Sequence, residues 1–131
     1  MRKKLSIIVA LAAAAVLAAA TVSAAFAAPA EVALDCGAAQ TALGISALTY
    51  GSEGWVETEN TPSNGCYSLY ASGEVLLASG SWVDLGGYWS QGYPGSLTLP
   101  YSGDVTHTSG VNNACNYANT VCAGYTPTSD P

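Results

Sequence analysis

Residues 66–91 read CYSLYASGEVLLASGSWVDLGGYWSQ, and this stretch decides the fold class. Short apolar alternations run through Cys66–Ala71 and Glu74–Ser79, with Ser72-Gly73 between them, which predicts a hairpin with a two-residue turn. Ser81–Leu85 and Tyr88–Gln91 flank Gly86-Gly87, where two glycines can take the positive φ of a tight turn, and predict a second hairpin. In that hairpin Asp84 opposes Trp89 and Trp82 opposes Gln91. Strand alternation then gathers Trp82, Asp84, Trp89 and Gln91 on one face, with Val83, Leu85, Tyr88 and Ser90 on the other. Gly80, between the two hairpins, reads as a turn or a bulge.

Outward from this segment the pattern continues. From Ile45 onward the chain is Gly, Ser, Thr and Tyr punctuated by short apolar alternations, with further strands expected at Ser96–Leu99, Asp104–Thr108 and Val121–Tyr125. Seven or eight short strands with turns at this spacing predict a mainly β protein, a small antiparallel β-sandwich or barrel. Asp35–Leu43 reads as one short helix, with Asp35 as its N-cap and Gly44 just past its end. The expected organisation is a linker over residues 28–35, a single β domain over 36–125 and a flexible tail over 126–131.

The first residues read as a secretory signal. Met1-Arg2-Lys3-Lys4 is a basic opening, Leu5–Ala20 is apolar except for Ser6, and Ala25-Phe26-Ala27 sets small residues at a cleavage site after Ala27. All three basic side chains lie in that leader. Residues 28–131 keep nine carboxylates and no lysine or arginine, a formal charge of −9. Phosphate neutralisation by Lys and Arg is therefore closed to this span, as is attraction to anionic lipid, so neither nucleic acid nor a membrane is expected as a partner. Salt bridges are nearly ruled out as well, with only the N-terminal amine and His107 left as cations, so burial, backbone pairing and covalent links must supply the stability.

Cys36, Cys66, Cys115 and Cys122 all follow the leader, and an even number in an exported chain reads as two disulfides with three possible connectivities. Cys115 and Cys122 enclose only six residues and meet readily, which leaves Cys36 for Cys66. No Cys-x-x-Cys occurs and the one histidine is not spaced as a zinc ligand, so no metal and no cofactor are expected. The absence of any Asn-x-Ser/Thr acceptor, with the alanine-rich leader, favours a bacterial source.

Among candidate sites, the face with Trp82, Asp84, Trp89 and Gln91 stands first: indole faces stack on the apolar side of a sugar ring while Asp and Gln bond its hydroxyls. The competing reading makes both tryptophans core. Asp104 and His107 are three apart on an expected strand, point to opposite faces and have no Gly-x-Ser-x-Gly nucleophile to serve. Glu57 and Glu59 share a strand face near Glu53 and Asn60, without the ligand pattern of a calcium loop, and read as a solvated face. Leu99-Pro-Tyr-Ser-Gly103 is similar to the sortase sorting signal Leu-Pro-x-Thr-Gly, but no apolar stretch and basic tail follow it, so it reads as a strand end and turn.

These observations predict a secreted, non-enzymatic binding protein that recognises a glycan or another extracellular surface through exposed aromatics. The alternatives are a small inhibitor of a secreted subtilisin-like or chymotrypsin-like protease or of a glycosidase, and a structural surface protein. One test follows from composition alone. Trypsin will leave residues 28–131 whole even after reduction and unfolding, and mass spectrometry of the digest checks this; any fragment cut inside the span contradicts it.

Overall fold

The computed structural model describes residues 28–131; the expected leader over residues 1–27 lies outside the described residues. Eight strands follow one another: β1 (Ala30–Asp35), β2 (Thr41–Thr49), β3 (Glu53–Asn60), β4 (Ser68–Leu77), β5 (Trp82–Gln91), β6 (Ser96–Ser102), β7 (Val105–Cys115) and β8 (Thr126–Asp130). They form two antiparallel sheets of four, in the orders β1-β2-β3-β6 and β5-β4-β7-β8. The protein is a β-sandwich stapled by two disulfides, Cys36–Cys66 and Cys115–Cys122.

Several local expectations are corrected. The helix over Asp35–Leu43 does not form: β1 ends at Asp35, a turn bond from Gln40 N–H to the Gly37 carbonyl follows, and β2 begins at Thr41. Ala42, Gly44, Ser46 and Leu48 alternate with Leu43, Ile45 and Ala47, and period two wins over a nine-residue helix that would carry an internal glycine. The linker over residues 28–35 contains β1, and the tail over 126–131 contains β8, whose Thr128 and Asp130 are buried against β7. Residues 121–125 form no strand, only a bridge between Cys115 and Cys122.

The two expected hairpins are one. β4 runs unbroken through Ser72-Gly73, β5 runs through Gly86-Gly87, and the turn joining them is Ala78-Ser79-Gly80. There Gly80 donates its N–H to the Leu77 carbonyl at 2.8 Å with φ at +92°, the left-handed position of a three-residue hairpin loop. The glycines at 73 and 110 have a different purpose. Gly86, Gly73 and Gly110 are register partners across β5, β4 and β7. Val56 of the opposite sheet sits against this row: a Cβ on Gly73 would lie 2.5 Å from Val56 Cγ2, and one on Gly110 would lie 2.4 Å from Cγ1. The glycines thus let the two sheets approach, and Val56 is completely buried as a result.

Around that contact lie small apolar clusters and a polar layer. Leu34, Cys36, Ala42, Cys66, Leu69 and Ala114 pack at one end, and Leu48, Val75 and Val105 at the other. Between the sheets Asn112 is fully buried and donates to the Glu57 carbonyl and the Thr58 hydroxyl, both at 2.8 Å, while accepting from Thr128 at 3.0 Å. Ser46 donates to Thr108 at 2.7 Å. These satisfied side chains substitute for apolar bulk the chain does not have. The fully buried Cys36–Cys66 bridge ties the end of β1 to the approach to β4, one sheet to the other.

The Val56 contact is open to a double-mutant cycle. Gly110→Ala should cost about 1–3 kcal/mol by overpacking and Val56→Ala about 1.5–3 kcal/mol by leaving a cavity. Together they should cost clearly less than their sum in denaturant melts, because alanine at 110 fills the space valine vacates. Strict additivity would show that the two sites do not meet.

Candidate functional site

The outer face of the β5-β4-β7-β8 sheet carries the expected residues, by a route the sequence reading did not foresee. Across β4 and β5 the register pairs Gly73 with Gly86 but Glu74 with Asp84, so Leu85 is an extra residue. Both Leu85, which packs into the core, and Gly86, which pairs with inward-facing Gly73, point inward. The bulge resets the alternation. Trp82 and Asp84 before it, and Trp89 and Gln91 after it, all pair with outward residues of β4: Leu76, Glu74, Tyr70 and Ser68. Without the extra residue the two tryptophans would point to opposite faces. Asp84 also stabilises the bulge, its Oδ1 accepting the Gly86 N–H at 2.8 Å, and Gly86 takes φ of +85°.

The expected cross-strand pairs, Asp84 with Trp89 and Trp82 with Gln91, do not exist, since all four residues lie on one strand. Trp82 and Trp89 are 49% and 43% exposed, not core. They are not neighbours either: their β4 partners are six residues apart, about 20 Å at a strand's rise of about 3.3 Å per residue. The four residues form two stations, Trp89 with Gln91 at one end of the face and Trp82 with Asp84 toward the other.

The first station is the richer. Trp89 packs on Tyr70 (ring centroids 5.1 Å), and Tyr125 meets Tyr70 edge-on at 5.1 Å. Tyr67 lies edge-to-face between Tyr93 (5.2 Å) and Tyr117 (4.8 Å). Three of these six rings, Trp89, Tyr67 and Tyr117, line a pocket of about 410 Å³ whose walls also include Gln91, Asn116 and Asn119, none of them charged. In a chain this acidic an uncharged, aromatic pocket is a distinct chemical environment.

The segments that carry Tyr117, Tyr125 and Tyr93 are each held by backbone hydrogen bonds. The Cys115–Cys122 disulfide closes a loop in which Asn116 Oδ1 accepts from Thr120 N–H at 2.9 Å and Val121 N–H at 3.2 Å, and Asn119 takes φ of +57°. That loop presents Tyr117, 73% exposed, at the rim. Asn113 Oδ1 accepts Gly124 N–H at 2.9 Å and so fixes the chain before Tyr125. Tyr93 donates its N–H to the Tyr67 carbonyl at 2.9 Å and holds φ of +54°, a left-handed backbone unusual for a bulky residue. Tyr67, Tyr70, Tyr117, Tyr125, Asn116 and Asn119 were not picked out from sequence; the signal available was that Tyr67 adjoins Cys66 and Tyr117 lies inside the smaller disulfide loop.

The remaining candidates fall elsewhere. His107 projects onto the same outer face, edge-on to Trp82 at 5.7 Å and 3.2 Å from the Ser129 hydroxyl, while Asp104 lies in the turn before β7. Glu53, Glu57 and Glu59 line the outer face of the other sheet. Asn60 instead binds backbone, bonding to both N–H and C=O of Cys66 and donating to the Pro94 carbonyl, and so fixes the crossing from β3 to β4. Leu99 of the Leu99–Gly103 segment is buried within β6. Among the described residues no group of three or more His, Cys, Asp or Glu is placed to hold a metal ion.

Two carboxyls sit above their ordinary value. Burial, then the neighbouring Glu59 charge, raises Glu57 against a hydrogen bond from Thr98. Burial raises Asp130, whose Oδ2 has no hydrogen-bond partner, against the pull of His107 and a bond from the Leu48 backbone. A raised folded value means that the native state binds more protons than the unfolded chain between the two values, so stability falls as pH rises through that window. Thermal melts should show higher stability near pH 4 than at pH 7, and Asp130→Asn should raise stability at pH 7 by about 1 kcal/mol and flatten the profile. A melting temperature that falls steadily from pH 7 to pH 4 would contradict this. Comparison with known proteins adds no relative: no family model, curated protein or solved structure matches this chain.

Proposed function

We propose that the protein is a secreted, non-enzymatic glycan-binding protein whose primary site is the aromatic pocket at Trp89. One observation carries this reading: Trp89, Tyr67 and Tyr117 line an uncharged pocket with the Gln91 and Asn119 carboxamides in its wall, and Tyr70, Tyr93 and Tyr125 pack against those rings. Exposed rings cost solvation, and Tyr117, Tyr125, Tyr93 and Trp89 are all exposed large apolar groups. Their arrangement suits a ligand with alternating apolar faces and hydroxyl edges, which a pyranose has. Backbone bonds also fix the segments that carry Tyr93, Tyr117 and Tyr125, which lowers the conformational entropy lost on binding.

The charge balance supports a neutral ligand. With no lysine or arginine over residues 28–131, a sulfated or uronic-acid chain would meet repulsion without compensation. The two disulfides are compatible with an extracellular location, where such polymers occur.

Titration of a neutral glycan panel, followed by tryptophan emission and calorimetry, tests the reading. Binding should quench and shift the emission, and Trp89→Ala or Tyr117→Ala should weaken it about tenfold while circular dichroism stays unchanged. Selective reduction of Cys115–Cys122, whose Cys122 is exposed, should also weaken binding by freeing the Tyr117 loop. No response to any member of the panel would remove the proposal.

A further inference from the structure

Between the Trp89 pocket and Trp82 the outer face of the sheet is neither flat nor bulky. Gly87, Ser72 and Val111 form one row across β5, β4 and β7, and Asp84, Glu74 and Ser109 form the next. A shallow depression of about 420 Å³ lies over them. A Cβ on Gly87 would lie 2.7 Å from the Tyr70 hydroxyl, so the glycine keeps the floor low and lets the tyrosine reach over it. At the far side Trp82 rises again, half exposed, its ring fixed edge-on by His107, which in turn meets Ser129 at 3.2 Å. An indole held in place and left in water, at the other end of a trough from an aromatic pocket, is a second platform.

We infer that this face holds an extended, neutral, ribbon-shaped β-1,4-linked polysaccharide running along β4, with one end in the Trp89 pocket and a later ring stacked on Trp82. The inference rests on the glycan-binding reading and adds the shape and length of the ligand. The separation of the two indoles, about 20 Å along the strand, spans about four pyranose rings, too far for one or two sugars to touch both. The path between them follows extended β4 over Ser72 and Glu74, with Gly87 beside Ser72 on β5, a track that suits an extended ribbon more than a coiled chain. Ser72 and Ser109 hydroxyls and the Asp84 and Glu74 carboxylates offer bonds to ring hydroxyls along the way. The same two carboxylates, paired directly across the strands, repel an anionic polymer.

The experiment measures affinity by calorimetry for β-1,4-linked glucose oligomers of increasing length, and separately for the matching N-acetylglucosamine oligomers, which distinguishes the two sources of such a ribbon. In the series that binds, affinity should climb about tenfold between the dimer and the pentamer and then level off. Trp82→Ala should abolish that gain and leave the dimer's affinity unchanged, while Trp82→Tyr, which keeps a ring, should retain most of it. Trp89→Ala should weaken every length. Length-independent affinity, or a Trp82→Ala variant that weakens dimer and hexamer alike, overturns the inference and leaves the Trp89 site standing. Failure of both series at every length overturns it too, with the wider neutral panel then deciding the site itself. A Trp89→Ala variant that binds all lengths normally removes the site and the inference together.

Discussion

The contact of Val56 with the glycines at 73 and 110 constrains everything else in this molecule. The strands of sheet β1-β2-β3-β6 carry two aromatic residues, Trp55 and Tyr101, and the interior is filled mostly by Val, Leu, Ala and Ser. A sandwich with so little bulk closes only if its sheets come near each other, and absent Cβ atoms at Gly73 and Gly110 permit that. The Asn112 network is the polar counterpart. Gly44, where a Cβ would lie 2.7 Å from Asn112, leaves space for the carboxamide just as Gly110 leaves space for Val56. Close packing here is achieved by removing atoms from one sheet to receive side chains of the other.

That inward economy has an outward effect. Because the large rings are not needed to fill the interior, they are free to stand on the surface of β4, β5 and the flanking loops. Gly86, the β5 register partner of Gly73, adjoins the extra residue Leu85, so the bulge that phases Trp82 against Trp89 lies beside the glycine that receives Val56. The site is then completed by elements far apart in sequence: the Tyr93 turn, the disulfide loop with Tyr117, and the chain at Gly124 before Tyr125.

The class of fold was legible because it depends on period-two alternation and turn residues, and those are local. Disulfide pairing followed from loop size for the same reason. Individual glycines were not legible: Gly73, Gly80, Gly86 and Gly87 look alike in a sequence, yet Gly80 supplies a left-handed turn, Gly73 gives space to Val56, Gly86 forms a bulge and Gly87 gives space to Tyr70. Only the partner strand reveals which need each one meets. The grouping of Trp82, Asp84, Trp89 and Gln91 on one face was reached through a turn that does not exist, and the bulge at Leu85 produces the same grouping by a one-residue shift. Strands β1 and β8 were missed because their short segments, with Pro127 and few bulky apolar residues, gain their order from neighbours.

The bulge on β5 has one more consequence. β5 is a border of its sheet, and a regular border presents unsatisfied peptide groups that a neighbouring molecule can zip onto, the first step toward fibrils. Here the border is interrupted by the bulge at Leu85 and Gly86, and the Gly86 amide is already occupied by the Asp84 carboxylate of the same strand. A tyrosine-rich and tryptophan-rich surface that would otherwise invite self-association is thereby displayed beside a seam that refuses further strands.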